Sequence, residues 1–152
     1  MLREAARAGV FVPQILEEKE FTIVLEKIDG QMIKEIFSKD NMEEICNLIG
    51  SAIAKLHSFD IIHGDLTTSN MILSGKKLYF IDFGLGFHSG KAEDKATDLH
   101  VLREAFESTH FSIADDAWKI ILKAYKESYK SEKVIGSLEN LEKRGRYRDR
   151  SG

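Results

Sequence analysis

A second cysteine, a membrane-length apolar run and a signal-peptide core are all missing from this 152-residue sequence. With Cys46 alone, no disulfide or cysteine metal knuckle can form, which agrees with a reducing compartment. Cys46 falls on the polar side of the helical pattern around it and reads as a tolerated side chain. No stretch approaches the roughly 18 apolar residues that a membrane span needs, and Met1-Leu2-Arg3-Glu4 has no apolar core behind it. These absences point to a cytoplasmic protein with no membrane partner. Repeats, low-complexity tracts and a second domain are absent too, while 43% hydrophobic and 31% charged residues suit one domain with a real core.

Charge is the uneven quantity. Residues 143–152 carry Lys143, Arg144, Arg146, Arg148 and Arg150 against Asp149, a net +4, which leaves −7 elsewhere in a total of −3. Such a basic end is either a solvated tail or an arm for phosphate or another polyanion.

Leu2 to Ala8 reads as the last turns of a helix stopped by Gly9, cut at its start as though an N-terminal part were missing. Ile15-Leu16 and Phe21 to Leu25 read as paired strands across a Glu17–Glu20 turn, and a short helix ends near Phe37. Asp40 with Glu43 makes a capping box for a helix in which Met42, Ile45, Ile49, Ala52, Ile53 and Leu56 recur at helical spacing up to about Ser58. After a polar loop, His63 to Asn70, the strands Met71 to Leu73 and Leu78 to Ile81 pair across Ser74-Gly75 as a hairpin. Residues 97–107 and 114–130 show helical periodicity, and the chain closes in the polar basic tail.

The hairpin makes a geometric prediction. Asn70 stands just before its first strand and Asp82 just after its second, so antiparallel pairing brings the two side by side. Asp65, five residues before Asn70, can face the same place. An Asp–Asn oxygen pair with open positions suits Mg²⁺, which keeps waters and takes substrate phosphate oxygens, and the second aspartate is left free to accept a proton.

The same residues spell motifs. His63-Gly64-Asp65-Leu66-Thr67-Thr68-Ser69-Asn70 fits H-x-D-L-x-x-x-N, and Asp82-Phe83-Gly84 fits D-F-G in a strand context. These fixed positions in this order should arise by chance in no more than roughly one chain in 10⁴, which sets coincidence aside. Asp65 is read as the group that accepts or orients the proton of an attacking hydroxyl or water. Asn70 and Asp82 are read as the metal ligands, His63 as structural packing of the loop, and Gly84 as the residue that lets the chain turn away. His57, His88, His100 and His110 lack metal-ligand spacing and are assigned surface or core roles.

With these residues, the sequence resembles the small atypical kinase subunit of the KEOPS (EKC) tRNA-modification complex, the PRPK family, related to RIO kinases. The resemblance runs through His63-Gly64-Asp65-Leu66-Thr67-Thr68-Ser69-Asn70, the short passage from Asp82 to Asp94, Asp98-Leu99-His100-Val101-Leu102 with Ser108-Thr109-His110, and Arg144-Gly145-Arg146-Tyr147-Arg148. It implies an α+β, protein-kinase-like fold: residues 1–142 as the kinase-like domain, with 1–26 a partial N-terminal lobe and 27–142 the helical C-terminal lobe, followed by the 143–152 tail. It implies ATP and Mg²⁺ as cofactors. Glu4 resembles the helix glutamate that pairs a phosphate-binding lysine. Glu26 to Ile28 resembles the hinge that meets adenine, which makes Glu4, Glu26 and Ile28 the nucleotide-binding candidates. Asp98 resembles the buried aspartate that braces the catalytic loop, and Gly64 stands for the arginine with which many kinases sense activation-loop phosphorylation. The partners implied are the large threonylcarbamoyl-transferase subunit, other KEOPS subunits, and tRNA through the basic tail.

The departures from the pattern are specific. No glycine-rich loop or strand lysine precedes Glu4, and Thr67 stands where common protein kinases keep a lysine. Losing such phosphate contacts costs transition-state stabilisation. If Met1 is the true start, the expectation is a weakened ATPase or a scaffold that holds KEOPS partners and tRNA; if the sequence is a fragment, the whole protein should be competent. A small-molecule kinase of the aminoglycoside or choline type is the remaining alternative, but its helical substrate domain finds no room here.

Overall fold

The computed structural model describes residues 1–151, and the side chains of residues 1–145. The chain opens with helix α1 (Leu2–Arg7) and the hairpin β1 (Ile15–Lys19) and β2 (Thr22–Leu25). Strand β3 (Gln31–Met32), α2 (Ile33–Ile36), α3 (Met42–Ser58) and β4 (Ile61–Ile62) follow. Strands β5 (Met71–Ser74), β6 (Lys77–Phe80) and β7 (Phe87–His88) lead into α4 (Ala92–Thr109), α5 (Ala114–Ser128) and α6 (Glu132–Ser151). Three small antiparallel sheets, β1-β2, β3-β5-β6 and β4-β7, lie beside a helical body. No described helix is long and apolar enough to cross a membrane.

The core forms where helical stripes meet. Ile45, Ile49, Ile53 and Leu56 of α3 are fully buried, as their spacing predicts. A second buried stripe on α3 holds smaller residues, Cys46, Gly50, Ala54 and His57. Gly50 on this stripe meets Ile121, Ala124 and Tyr125 of α5. This corrects the expectation for Cys46: its thiol is buried, not on a polar face, and burial pushes its pKa up to about 12. Along α4, Ala96, Leu99, Leu102 and Phe106 face inward. Val134 and Leu138 of α6 dock the last helix, and Arg103 holds it by ion-pairing with Glu142.

Several boundaries differ from expectation, each for a local reason. Asp40 does not cap α3: the helix starts at Met42, its N-cap position is Asn41, and no side-chain capping bond forms. The Asn41 side chain instead closes the preceding turn, accepting the Ser38 N–H at 2.9 Å and donating to Ile36 O at 2.8 Å. Strand β1 continues to Lys19, which pairs with Thr22, so the turn falls at Glu20-Phe21. Ser74 pairs with Lys77, so the second hairpin turns at Gly75-Lys76, where Gly75 has φ +61°. The largest difference is α6, which runs unbroken through residue 143, where the tail was expected to begin.

Candidate phosphoryl-transfer site

The β5–β6 register sets the site. Met71 pairs with Phe80, and one step further out the Ile81 N–H donates to Asn70 O at 3.0 Å, so Asn70 stands opposite Ile81 and next to Asp82. Asp82 has φ +57°, a left-handed conformation that aspartate tolerates better than most residues, and its carboxylate is exposed. Such backbone conformations concentrate at functional sites.

Asn70 is oriented by Asp65. Its Nδ2 donates to the Asp65 carbonyl oxygen and to Asp65 Oδ2, both at 3.0 Å. Both partners only accept, so the amide nitrogen must face them and Oδ1 is turned outward. Asp65 and Asn70 thus act as one unit, half-buried, beside the exposed Asp82.

Histidine and phenylalanine fix the loop that carries Asp65. His63 is fully buried, its Nε2 lies 2.9 Å from Ile81 O, and its Nδ1 accepts the Asp65 N–H at 3.1 Å. A carbonyl on one side and an N–H on the other define a neutral ring with the proton on Nε2. The Phe83 ring lies 4.5 Å from the His63 ring, which ties the segment after Asp82 to the loop. Gly64 has φ +88°, and a Cβ there would overlap the Leu85 carbonyl oxygen, so neither arginine nor any other side chain fits this geometry. Gly84 differs: its backbone is not left-handed, and its N–H reaches Asp82 Oδ1 at 3.3 Å. The glycine there leaves open the space against that carboxylate, where a Cβ would come within 3.2 Å of Oδ1.

Asp98 lies beneath the loop. Its Oδ2 accepts the His63 N–H at 3.1 Å, and its Oδ1 accepts the Gly64 N–H at 3.0 Å. Oδ2 also meets His57 Nε2 at 2.8 Å, and His57 Nδ1 meets the Tyr125 hydroxyl at 2.8 Å. The reading from sequence left His57 without a specific role and missed Tyr125. A signal for His57 was present, since it continues the spacing of Ile49 and Ile53, and a polar group on a buried stripe needs a partner.

The remaining candidates lie further out. Glu4 sits on α1, 3.0 Å from the Met1 α-ammonium and 3.9 Å from His88 Nε2. The hydrogen bond from that ammonium, chiefly, holds its carboxyl below the usual range. No hydrogen bond or ion pair among the described residues joins Glu4 to Asp65, Asn70 or Asp82. The Glu26 side chain turns back to accept the Gln14 N–H at 2.9 Å, in the loop before β3 that also holds half-buried Ile28. Lys143 and Arg144 are exposed on α6, and the side chains of Arg146, Arg148 and Arg150 lie outside the described residues.

The donor set fits Mg²⁺. Asn70 Oδ1 and the Asp82 carboxylate are hard oxygen ligands, and no cluster of three or more metal-binding side chains occurs among the described residues. Two protein oxygens with the rest of the shell open is the way Mg²⁺ binds together with phosphate groups.

Comparison with solved structures defines the class. The chain superposes on WaaP in complex with acyl carrier protein, with a TM-score of 0.70 at 13% identity over 95% of this chain and 72% of that one. It matches the Rio2 kinase–ADP/Mg²⁺–phosphoaspartate complex of Chaetomium thermophilum at a TM-score of 0.60 and 16% identity, over 96% and 52% of the two chains. The fold is protein-kinase-like.

The family described as the RIO domain matches residues 1–94. The KEOPS complex subunit Bud32 of Pyrococcus abyssi is 43% identical over 99% of this chain and 72% of its own length. A probable serine/threonine-protein kinase BUD32 homolog of Archaeoglobus fulgidus is 40% identical over 99% of this chain and 74% of its own. A probable bifunctional tRNA threonylcarbamoyladenosine biosynthesis protein of Methanobrevibacter smithii is 43% identical over 97% of this chain, which spans 27% of it. This chain belongs to the RIO-domain family and, within it, to the atypical kinases of the KEOPS complex.

Proposed function

We propose that this chain is the ATP-dependent phosphotransferase subunit of a KEOPS complex, an atypical serine/threonine kinase that acts mainly as an ATPase and supports threonylcarbamoyladenosine formation in tRNA. The observation that carries the reading is the Asn70 amide held by Asp65, which leaves its oxygen pointing away from Asp65, on a residue that stands opposite Ile81 and next in line to Asp82. The relatives' names support the setting: one is a KEOPS subunit, and another is a longer bifunctional protein of the tRNA modification.

Asn70 and Asp82 would hold Mg²⁺, and the bound ion supplies charge neutralisation across the phosphates. Asp65 orients the attacking hydroxyl or water and takes up its proton. His63 and Asp98 keep the Asp65 loop in place. Glu4 would meet a cation and Ile28 the adenine, while Lys143, Arg144 and the arginines beyond them would contact the transferase subunit or tRNA phosphates. Residues 1–142 do the chemistry in this division of labour, and residues 143–152 extend it to partners.

Asp65→Asn tests the base. The amide keeps the shape and an acceptor for Asn70, so ATP affinity should stay within about twofold, while turnover of the chain, alone and with its transferase partner, falls roughly 10²- to 10³-fold. Unchanged turnover would remove Asp65 from the reaction.

A further inference from the structure

Among the charged or titratable side chains buried away from the reacting groups are His57 at 0%, Asp98 at 2% and Lys95 at 3% exposure. Burial of such groups is costly and persists only where partners satisfy them. Lys95 and Asp98 are one turn apart on α4; Lys95 reaches Tyr129 directly, and Asp98 is linked to Tyr125 through His57. Tyr125 lies in the last turn of α5, Tyr129 just beyond it, and their rings meet edge to face at 5.8 Å.

The first chain of bonds runs from the Tyr125 hydroxyl to His57 Nδ1, from His57 Nε2 to Asp98 Oδ2, and from Asp98 to the N–H groups of His63 and Gly64, directly before Asp65. The second begins at the Tyr129 hydroxyl, 3.0 Å from Lys95 Nζ, and passes to Asp60 Oδ1 at 2.7 Å. Asp60, with φ +58°, accepts the Ser89 N–H through its carbonyl at 2.8 Å. Ser89 belongs to the segment between Asp82 and α4, and its hydroxyl donates to Asp94 at 2.6 Å. Strands β4 and β7 pair alongside, with Ile61 opposite His88.

We infer that the end of α5 is a two-legged brace for the site: Tyr125 positions the loop that carries Asp65, and Tyr129, through Lys95, positions the segment that follows Asp82. The inference rests on the phosphoryl-transfer reading for its effect on turnover, while its effect on the two loops stands apart from that reading. Both tyrosines are positioning residues and touch no reacting atom. The close approach of α3 to α5 at Gly50 brings the Tyr125 hydroxyl to His57 Nδ1, while His57 Nε2 donates to the Asp98 carboxylate. Apolar side chains would fill this volume at lower desolvation cost. The polar chain adds one fixed arrangement of donors and acceptors, which packing alone does not define.

Site-resolved amide exchange on the full chain separates the two legs. Tyr125→Phe keeps the ring and removes the hydroxyl, and should speed exchange at His63 and Gly64 roughly tenfold with Ser89 within about twofold of wild type. Tyr129→Phe should do the reverse. Tyr125→Phe should also lower kcat while leaving KM for ATP within about twofold, the signature of a displaced Asp65 at an intact nucleotide site. If Tyr125→Phe fails to fold, His57→Gln, which keeps a donor toward Asp98, carries the same expectation at His63 and Gly64. Uniform acceleration over the whole chain, or none at either loop, would overturn the brace. Wild-type protein without ATP turnover would instead count against the site reading, and the exchange pattern would still decide on the brace.

Discussion

Asp98→Ala should lower the unfolding free energy by about 3–5 kcal/mol and release the loop before Asp65. The size follows from what the carboxylate satisfies. Three donors converge on it, the N–H groups of His63 and Gly64 and the His57 ring at 2.8 Å, and it is buried on every side. Removing the acceptor leaves all three desolvated without partners, and each orphaned donor alone costs about 1–3 kcal/mol. Asp98→Asn should cost less, because the amide keeps one oxygen acceptor, but its NH₂ then faces a donor. A shift of the urea midpoint at unchanged slope reads the difference. A loss below about 1 kcal/mol for the alanine variant would mean that the loop is held by His63 and Phe83 alone.

The second large effect is at Gly50. Alanine is favoured over glycine inside a helix by about 1 kcal/mol, so propensity alone predicts stabilisation. Here the clash wins: a Cβ would overlap the Ile121 carbonyl oxygen and come within 2.8 Å of the Ala124 Cβ and 3.1 Å of the Tyr125 nitrogen. Backbone on one side cannot retreat without parting α3 from α5. Gly50→Ala should cost about 1–3 kcal/mol, and Gly50→Leu should leave no cooperative unfolding transition at 25 °C. Gly136 in α6 is the control, since a Cβ there meets nothing within 4 Å. Gly136→Ala should gain up to about 1 kcal/mol.

Much of the site was legible because the hairpin logic is local. Strand period and a tight turn place Asn70 against Ile81 and next to Asp82 without knowledge of the rest of the chain. Helix α3 was legible from the spacing of Ile45, Ile49, Ile53 and Leu56. Its second face was not, because Cys46, Gly50 and Ala54 are small, and only the approach of α5 makes them core. The same tertiary approach hides Tyr125 and Lys95, whose partners lie 68 and 35 residues away in sequence. Helix α6 was hidden by its composition: buried Val134 and Leu138, with half-buried Leu141, form a narrow stripe in a charged segment, and the ion pair from Arg103 to Glu142 completes the docking. The capping box failed because Asn41, one residue later, closes the turn with its own side chain.

Calorimetric titration of ATP into the 152-residue chain, with and without Mg²⁺ and with Asp82→Ala as the comparison, tests the central claim most directly. The expected result is binding that requires Mg²⁺ and is lost in Asp82→Ala with the melting temperature lowered by only a few degrees, because the exposed Asp82 carboxylate supports no core contact and the left-handed backbone costs alanine about 1–2 kcal/mol. Equal affinity in the variant, or binding indifferent to Mg²⁺, would contradict the assignment of Asn70 and Asp82 as the metal-holding pair.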